Sequence, residues 1–265
     1  MENIIPVRFF VVTFLWSWSL CAILYLFSKK GVVSANNTNF YKTGFIFIVI
    51  GAFGPAVGAT ISLYSINGRE AVFQFFASFL SLNFGWKVWG SIFLVLVGSA
   101  FLAWIIPSFF GNKIPLIFHN IYKFPVIFLL MTFLGGGQEE IGWRGYILPF
   151  LENKYGIFWG TLILGIIWTI WHLPLWFIPG SNQKNLNFFA FTLQCIGLSY
   201  FFSWVITASG NQLLSGLIAH GTYNAILFIF PMLGGEKKPK QIRYWINSIL
   251  LFIIGIIIVA IRIYK

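Results

Sequence analysis

Acidic side chains are scarce in this sequence. Its 265 residues include no aspartate and 6 glutamates, and charged residues of all kinds make up 9% of the chain. A soluble domain usually carries about 25% charged residues. Hydrophobic residues reach 58%, and the mean hydropathy is +0.85. The shortage of charge excludes an ordinary soluble domain, and the apolar composition indicates an integral, multi-pass membrane protein.

Cysteine is rarer still. The sequence has two, Cys21 and Cys195, and each lies within an apolar run. A thiol in such surroundings usually behaves as a small core residue. Two residues of this kind exclude a disulfide framework or a cysteine-rich metal cluster.

The 17 lysines and arginines give a formal net charge of +11 at pH 7, but they are spread over short polar loops. No basic cluster is interleaved with aromatic residues, as it would be on a nucleic-acid-binding surface. Scattered basic loops are typical of membrane topology signals and of contact with anionic lipid. We therefore expect membrane lipids, and not nucleic acid, as partners.

The apolar runs are long enough to cross a membrane. A spanning helix needs about 20 apolar residues. Eight segments are candidates on that template, the fourth because it is expected to continue beyond its apolar run: 9–27, 44–66, 86–106, 124–135, 155–178, 186–208, 213–232 and 244–263. The sequence thus predicts an all-α fold, a single transmembrane domain over residues 1–265 with about eight transmembrane helices around a polar intramembrane pocket.

Three local features qualify this pattern. Gly54-Pro55 predicts a kink in the second segment, because proline removes a helix hydrogen bond. Residues 69–83 predict an amphipathic helix at the membrane interface. The fourth segment is expected to continue as helix through Glu139 and Glu140, loosened by the glycines that precede them.

The two adjacent glutamates lie at the end of an apolar run, within Gly135-Gly136-Gly137-Gln138-Glu139-Glu140-Ile141-Gly142-Trp143-Arg144-Gly145. Carboxylates are costly at membrane depth, which makes intramembrane acids candidates for function. Arg144 follows Glu140 by four residues, so a helix places the two on one face as an ion pair. Glu139 projects about 100° away. We predict that Glu140 has a structural role and that Glu139 is free for chemistry.

Further polar groups fall inside the later segments: His172, His220 and Asn224. His220 and Asn224 are four residues apart and share a helical face. Lipid cannot satisfy these groups, so the helices should converge around them. Trp168 and Trp171 are interpreted as packing around His172.

Together these groups predict a hydrolase. A carboxylate and an imidazole can hold and deprotonate one water molecule, and a second imidazole with an amide can donate to a developing oxyanion. Such a site would cleave an acyl bond, and a peptide bond fits best. One alternative is a buried polar network that only fixes helix packing. Another is a zinc site with Glu139, His172 and His220 as ligands, although no His-Glu-x-x-His pair is present.

The ordered motifs carry a resemblance. Glu139-Glu140-x-x-x-Arg144 resembles the first motif of the CAAX-protease and bacteriocin-processing family of intramembrane proteases, and the CAAX prenyl protease type 2 group in particular. Trp168-x-x-x-His172 resembles its second motif, with Trp in the usual place of Phe, a change expected to alter mainly packing. His220-x-x-x-Asn224 resembles its third. The family core would cover roughly residues 120–232.

The resemblance implies a glutamate-type intramembrane endopeptidase. Glu139 and His172 would activate water, His220 and Asn224 would stabilise the oxyanion, and Glu140 and Arg144 would support the site. No cofactor is expected, with zinc as the alternative because family members have also been described as metalloproteases. Expected partners are peptide or protein substrates, including prenylated and bacteriocin-type peptides.

Two other functions compete with the peptidase. A catalytically silent member of the family could act as a membrane scaffold or immunity protein. A transporter could use the same buried charges, although the sequence shows one clear helix break and no two related halves. The abundance of Phe, Ile, Asn and Lys indicates an AT-rich genome, and hence a bacterial cell membrane.

Overall fold

The computed structural model describes residues 6–29, 44–77, 82–117, 121–233 and 241–264. These residues form helices joined by short turns, and none of them lies in a strand. The all-α prediction is confirmed. Residues 30–43 and 234–240, which include five of the 17 basic residues, lie outside the described residues.

The described residues of the first half of the chain form five α-helices, with a π-helical stretch at Phe93–Val97 and a 3₁₀ turn at Ile106–Phe110. The α-helices are α1 (Val7–Lys29), α2 (Phe45–Ala52), α3 (Gly54–Ala77), α4 (Trp86–Ile92) and α5 (Gly98–Ile105).

Six further α-helices lie in the part of the second half that the structure describes. They are α6 (Phe124–Phe133), α7 (Glu140–Gly142), α8 (Leu148–Trp171), α9 (Phe188–Ala208), α10 (Leu213–Ile226) and α11 (Ile242–Ile263). Short 3₁₀ turns precede α7 at Gly137–Glu139 and follow α8 at Leu173–Trp176, and a π-helical turn at Trp143–Ile147 joins α7 to α8.

Six helices of the described residues are long and apolar enough to cross a membrane. The difference from the eight predicted segments has two sources. The candidate Phe124–Trp176 has 53 residues, which at 1.5 Å per residue is about 80 Å, more than twice a hydrocarbon core of about 30 Å. It therefore combines the fourth and fifth predicted segments. The seventh corresponds to α10, which has 14 residues.

Helix breaks fall where the sequence has glycine or proline. The second segment breaks at Phe53, directly before Gly54-Pro55. Gly68, with φ of 75°, separates residues 54–67 of α3 from its last turns, which begin the predicted amphipathic helix. The end of that prediction, residues 78–81, lies outside the described residues.

One sequence expectation was wrong. The fourth segment does not continue as helix through the two glutamates, because α6 ends at Phe133 and a new helical segment begins at Gly137. Gly136 adopts φ of 133°, a value that residues with a side chain rarely reach, and it turns the chain between the two. The two glutamates therefore open a helix.

Helix α9 lies at the centre of the bundle. Of its 21 residues 13 are buried, whereas 4 of the 23 residues of α1 are. Helices α8 and α11 pack against α9 on different sides, while α10 packs on α6 and α1 packs on α3. The central position of α9 explains why several of its polar residues contact charged groups on its neighbours.

The contact between α9 and α11 is a close backbone approach at two glycines. A Cβ atom on Gly197 would lie 2.5 Å from the carbonyl carbon of Leu251, and one on Gly255 would lie 2.7 Å from the carbonyl oxygen of Gly197. Small residues allow this closeness, and membrane helices commonly use them to associate.

We expect Gly197→Val to lower the free energy of unfolding in detergent by about 1–3 kcal/mol, because overpacking forces the two backbones apart. Gly90→Val is the matched control, since Gly90 is also helical and has open space around its Cβ position. Thermal unfolding of both purified variants measures the effect. Equal losses in the two variants would contradict the close packing of α9 and α11.

Candidate active site

The loop between α6 and the glutamates is closed by the side chain of Gln138. Its Oε1 accepts from the backbone N–H of Gly136 at 2.9 Å, and its Nε2 donates to the carbonyl oxygen of Leu134 at 3.2 Å. The backbone N–H of Glu139 donates to the carbonyl oxygen of Gly136 at 2.9 Å. Gln138 is buried, and it fixes the turn from which Glu139 projects. This role of Gln138 was not predicted from the sequence.

Glu140 is wholly buried and holds two partners on one oxygen. Its Oε1 accepts from Arg144 Nη1 at 2.9 Å and lies 2.8 Å from His220 Nδ1. Arg144 Nη2 also donates to the hydroxyl of Ser199 on α9 at 2.8 Å. The ion pair predicted from the four-residue spacing is present, and it joins the glutamate segment to α9 and α10.

Glu139 faces a different set of groups. Its Oε2 accepts from the indole N–H of Trp168 at 2.8 Å, and the same oxygen lies 4.0 Å from His172 Nε2. His172 Nδ1 lies 2.8 Å from the carbonyl oxygen of Trp168. A carbonyl oxygen can only accept, so Nδ1 carries the proton. When the ring is neutral, the lone pair on Nε2 is directed toward Glu139.

Trp168 contacts both halves of the site. The Arg144 guanidinium carbon lies 4.4 Å from the centre of its ring, a cation–π distance. Its ring packs edge-on against His172 and His220, with centroids 5.6 and 5.4 Å apart. Packing was predicted for Trp168 and Trp171, and both do pack against His172. The hydrogen bond from Trp168 to Glu139 was not foreseen.

His220 and Asn224 face the break in the backbone. A Cβ atom on Gly136 would lie 2.5 Å from Asn224 Nδ2 and 2.7 Å from His220 Nε2. Asn224 Nδ2 donates to the carbonyl oxygen of Gly135 at 2.7 Å. The shared helical face predicted for these two residues is present, and glycine at position 136 lets both come close to the chain.

The structure thus brings all six predicted residues together. Comparison with known proteins bears on what they do. Residues 121–226 match the family model of the type II CAAX prenyl endopeptidase Rce1-like proteins, and this range contains all six. A curated relative, the CAAX prenyl protease 2 of Methanococcus maripaludis, is 24% identical over 235 residues, which cover 83% of this chain and 82% of that protein.

These matches confirm the resemblance of the chain to the CAAX protease family. They support a multi-pass membrane protein that is an intramembrane peptidase. The roles of individual residues in this peptidase are proposals that rest on the geometry of the site.

Metal ligation can be tested against this geometry. Among the described residues, no three His, Cys, Asp or Glu side chains form a group that could hold a metal ion. Two zinc ligands at about 2.0–2.2 Å in a tetrahedral site lie roughly 3.3 Å apart, whereas Glu139 Oε2 and His172 Nε2 are 4.0 Å apart. The separation of Glu139 and His172 is thus longer than that of two ligands on one tetrahedral zinc ion. Glu140 lies on Nδ1 of His220, so Nε2 is the ring nitrogen that His220 would offer to a ligand.

A second charged cluster lies away from the site. Glu152 accepts from Arg262 on α11 at 3.1 Å, from Thr161 at 2.8 Å and from Ser203 at 3.1 Å. It ties α8 and α9 to the last helix. Ser199 and Ser203 are four residues apart on α9, and each binds one cluster: Ser199 accepts from Arg144, and Ser203 donates to Glu152. Two hydroxyls at this spacing in an apolar helix were the sequence signal that could have indicated these two contacts.

We expect Gly136→Ala to lower peptidase activity at least about 100-fold, because a methyl group there displaces the side chains of Asn224 and His220. Gly210→Ala is the control. Gly210 also has a positive φ, 77°, but nothing lies near its Cβ position, so its alanine variant carries backbone strain of about 1–2 kcal/mol without a clash. The test compares the peptide cleavage rates of both variants in detergent. If the activity of Gly136→Ala is near that of Gly210→Ala, the close approach of Asn224 and His220 to Gly136 is contradicted.

Proposed function

We propose that this peptidase hydrolyses a peptide bond with a water molecule held between Glu139 and His172. The observation that carries the proposal is the 4.0 Å separation of Glu139 Oε2 and His172 Nε2. Two hydrogen bonds of about 2.8 Å span that distance at an angle of roughly 90°. Both atoms are acceptors, so the water directs its two hydrogens at them and presents its lone pairs to a substrate carbonyl carbon.

In the proposed reaction Glu139 takes a proton from the water molecule while the water oxygen attacks the carbonyl carbon. A C–O bond forms, and the carbonyl π electrons move to oxygen to give a tetrahedral oxyanion. Collapse of this intermediate breaks the C–N bond. The proton held by Glu139 then passes to the leaving nitrogen, which yields a carboxylic acid and an amine and restores the Glu139 carboxylate.

In this proposal His220 and Asn224 stabilise the oxyanion. Asn224 uses one amide hydrogen on the carbonyl oxygen of Gly135 and keeps the second. His220 donates Nδ1–H to Glu140, so its Nε2 is a donor only when the ring is an imidazolium. Preorganised donors of this kind are among the largest contributions to acyl-transfer catalysis.

Glu140 links His220 to the charged part of the site. Its Oε1 accepts from Arg144 and lies 2.8 Å from His220 Nδ1, so Glu140 supports the proposed oxyanion site through His220.

Glu139→Gln and His172→Ala are expected to lower the rate of cleavage of a quenched peptide by about 10²–10⁴-fold, the usual contribution of a general acid–base group. A chelator should leave wild-type activity unchanged, because the proposed water is activated without a metal. Loss of wild-type activity on chelation, and its return with zinc, would replace the proposal with the zinc alternative.

Glu152→Gln is the matched control for these variants. Glu152 is a carboxylate of the same helical segment, and it is bound to Arg262 away from the site. The control should keep activity within a few-fold of wild type, with folding of all variants checked by thermal unfolding. If no peptide is cleaved by well-folded wild-type protein, the silent scaffold is the better reading.

The substrate we propose is a prenylated CAAX-type protein tail. Support comes from the matched family, described as prenyl endopeptidases, and from the name of the archaeal relative, CAAX prenyl protease 2. An isoprenoid chain would partition into the membrane and hold the peptide at the depth of the site. Each buried CH₂ group favours that partition by about 0.8 kcal/mol.

A peptide with a farnesylated cysteine should be cleaved with a kcat/KM at least about tenfold higher than the same peptide with a free thiol, because the lipid raises its local concentration. Both are assayed in lipid nanodiscs beside a bacteriocin-type leader peptide. Equal rates for the first two would exclude lipid recognition. Faster cleavage of the leader peptide would favour bacteriocin processing.

A further inference from the structure

The indole N–H of Trp168 lies at the point where the two halves of the site meet. It donates at 2.8 Å to Oε2 of Glu139, the oxygen that faces His172 Nε2. The indole ring is buried, and it also contacts Arg144 on the ring face and both histidines edge-on. One side chain therefore touches every charged or titratable member of the site except Glu140.

The guanidinium of Arg144 is a competing partner for Glu139. Its Nη1 and Nη2 are bound to Glu140 and Ser199, but its Nε is buried and has no hydrogen-bond partner among the described residues. Opposite charges attract strongly in a low-dielectric interior. A Glu139 carboxylate that was free to turn would find this donor and would leave the water site.

Trp168 keeps Glu139 and Arg144 apart, because it binds each of them with a different part of its indole ring system. The π face holds the guanidinium at 4.4 Å, and the N–H holds the carboxylate at 2.8 Å. An indole N–H is a donor only and is neutral, so it orients Glu139 without neutralising it. The second lone pair of Oε2 stays directed at the water between Glu139 and His172.

We propose that Trp168 is a positioning residue, which holds the Glu139 carboxylate toward His172 and away from Arg144. The inference rests on the proposed role of Glu139 as the base. Phenylalanine at position 168 would keep an aromatic face for Arg144 and an edge for the histidines, but it has no N–H. Loss of the indole N–H should therefore lower the rate of the chemical step and leave substrate binding nearly unchanged.

The chain offers a matched control in Trp171. It lies on the same helix, is buried, and packs its ring edge-on against His172 with centroids 4.7 Å apart. Its indole N–H has no hydrogen-bond partner among the described residues. Trp171→Phe therefore removes the same atoms from the same neighbourhood without removing a hydrogen bond.

The experiment compares kcat and KM for Trp168→Phe and Trp171→Phe. Loss of a hydrogen bond to a carboxylate should lower kcat of Trp168→Phe by about tenfold to a hundredfold, with KM within about twofold and with kcat of Trp171→Phe near wild type. A third protein carries 3-benzothienylalanine at position 168, which keeps the shape of the indole and replaces N–H by sulphur. It should match Trp168→Phe in activity and wild type in thermal unfolding, which separates the hydrogen bond from packing.

Dependence on Glu139 is tested with Glu139→Gln in single-turnover assays. If Trp168 acts through Glu139, adding Trp168→Phe to Glu139→Gln causes little further loss, whereas an independent packing role gives losses that multiply. An activity-independent measurement is the ¹⁵N-indole NMR signal of Trp168, assigned by its absence in Trp168→Phe. It should shift in Glu139→Ala and stay in place in Glu152→Gln.

The outcomes distinguish failure of the positioning role of Trp168 from failure of the proposed reaction. Wild-type kcat in Trp168→Phe and in the benzothienyl protein, beside inactive Glu139→Gln, would overturn the positioning role and leave the proposed reaction intact. Full activity of Glu139→Gln would overturn the proposed reaction itself. Equal losses in Trp168→Phe and Trp171→Phe, with lowered unfolding temperatures in both, would show packing alone.

Discussion

The structure of this peptidase depends on how a buried carboxylate is compensated at Glu140. A charge removed from water is costly unless it is paired and hydrogen-bonded. Glu140 has an arginine one turn away on its own segment and a histidine from α10, both on one oxygen, and the arginine continues to Ser199 on α9. This one set of bonds joins three parts of the bundle, so the requirement of a single charge determines where α9 and α10 lie relative to the glutamates.

The break in the backbone before the glutamates is the second condition. Since α6 ends at Phe133 and Gly136 turns the chain, the glutamates occupy the first turn of a new helix, where backbone N–H groups favour negative charge. Glycine at position 136 also lets α10 bring two donors against the chain. The side-chain amide of Gln138 closes the turn. It therefore holds the glycine-rich backbone in one conformation.

Sequence reasoning reached the parts of this site that depend on local spacing. The pairing of Glu140 with Arg144, and the shared face of His220 and Asn224, follow from the helical period alone. The break at Gly136 could not be placed, because three consecutive glycines are compatible with a loosened helix as well as with a turn. Ser199 and the N–H of Trp168 act through tertiary contacts 55 and 29 residues away in sequence, which no local pattern encodes. Tryptophan in place of the usual phenylalanine at position 168 was visible in the sequence. That its N–H binds Glu139 could be recognised only once the position of Glu139 was known.

The three carboxylates that are buried or partly buried in the described helices differ in one respect that bears on chemistry. Glu140 is bound to Arg144 and Glu152 is bound to Arg262, so each has an arginine of its own. Glu139 is held by a neutral indole N–H and faces an imidazole at a distance too long for a direct hydrogen bond. The carboxylates of Glu140 and Glu152 are each occupied by a guanidinium, whereas Oε2 of Glu139 has a neutral donor and an open lone pair. Of the three, Glu139 is therefore the one whose surroundings suit a base, and the gap to His172 is where a water molecule would complete its hydrogen bonding.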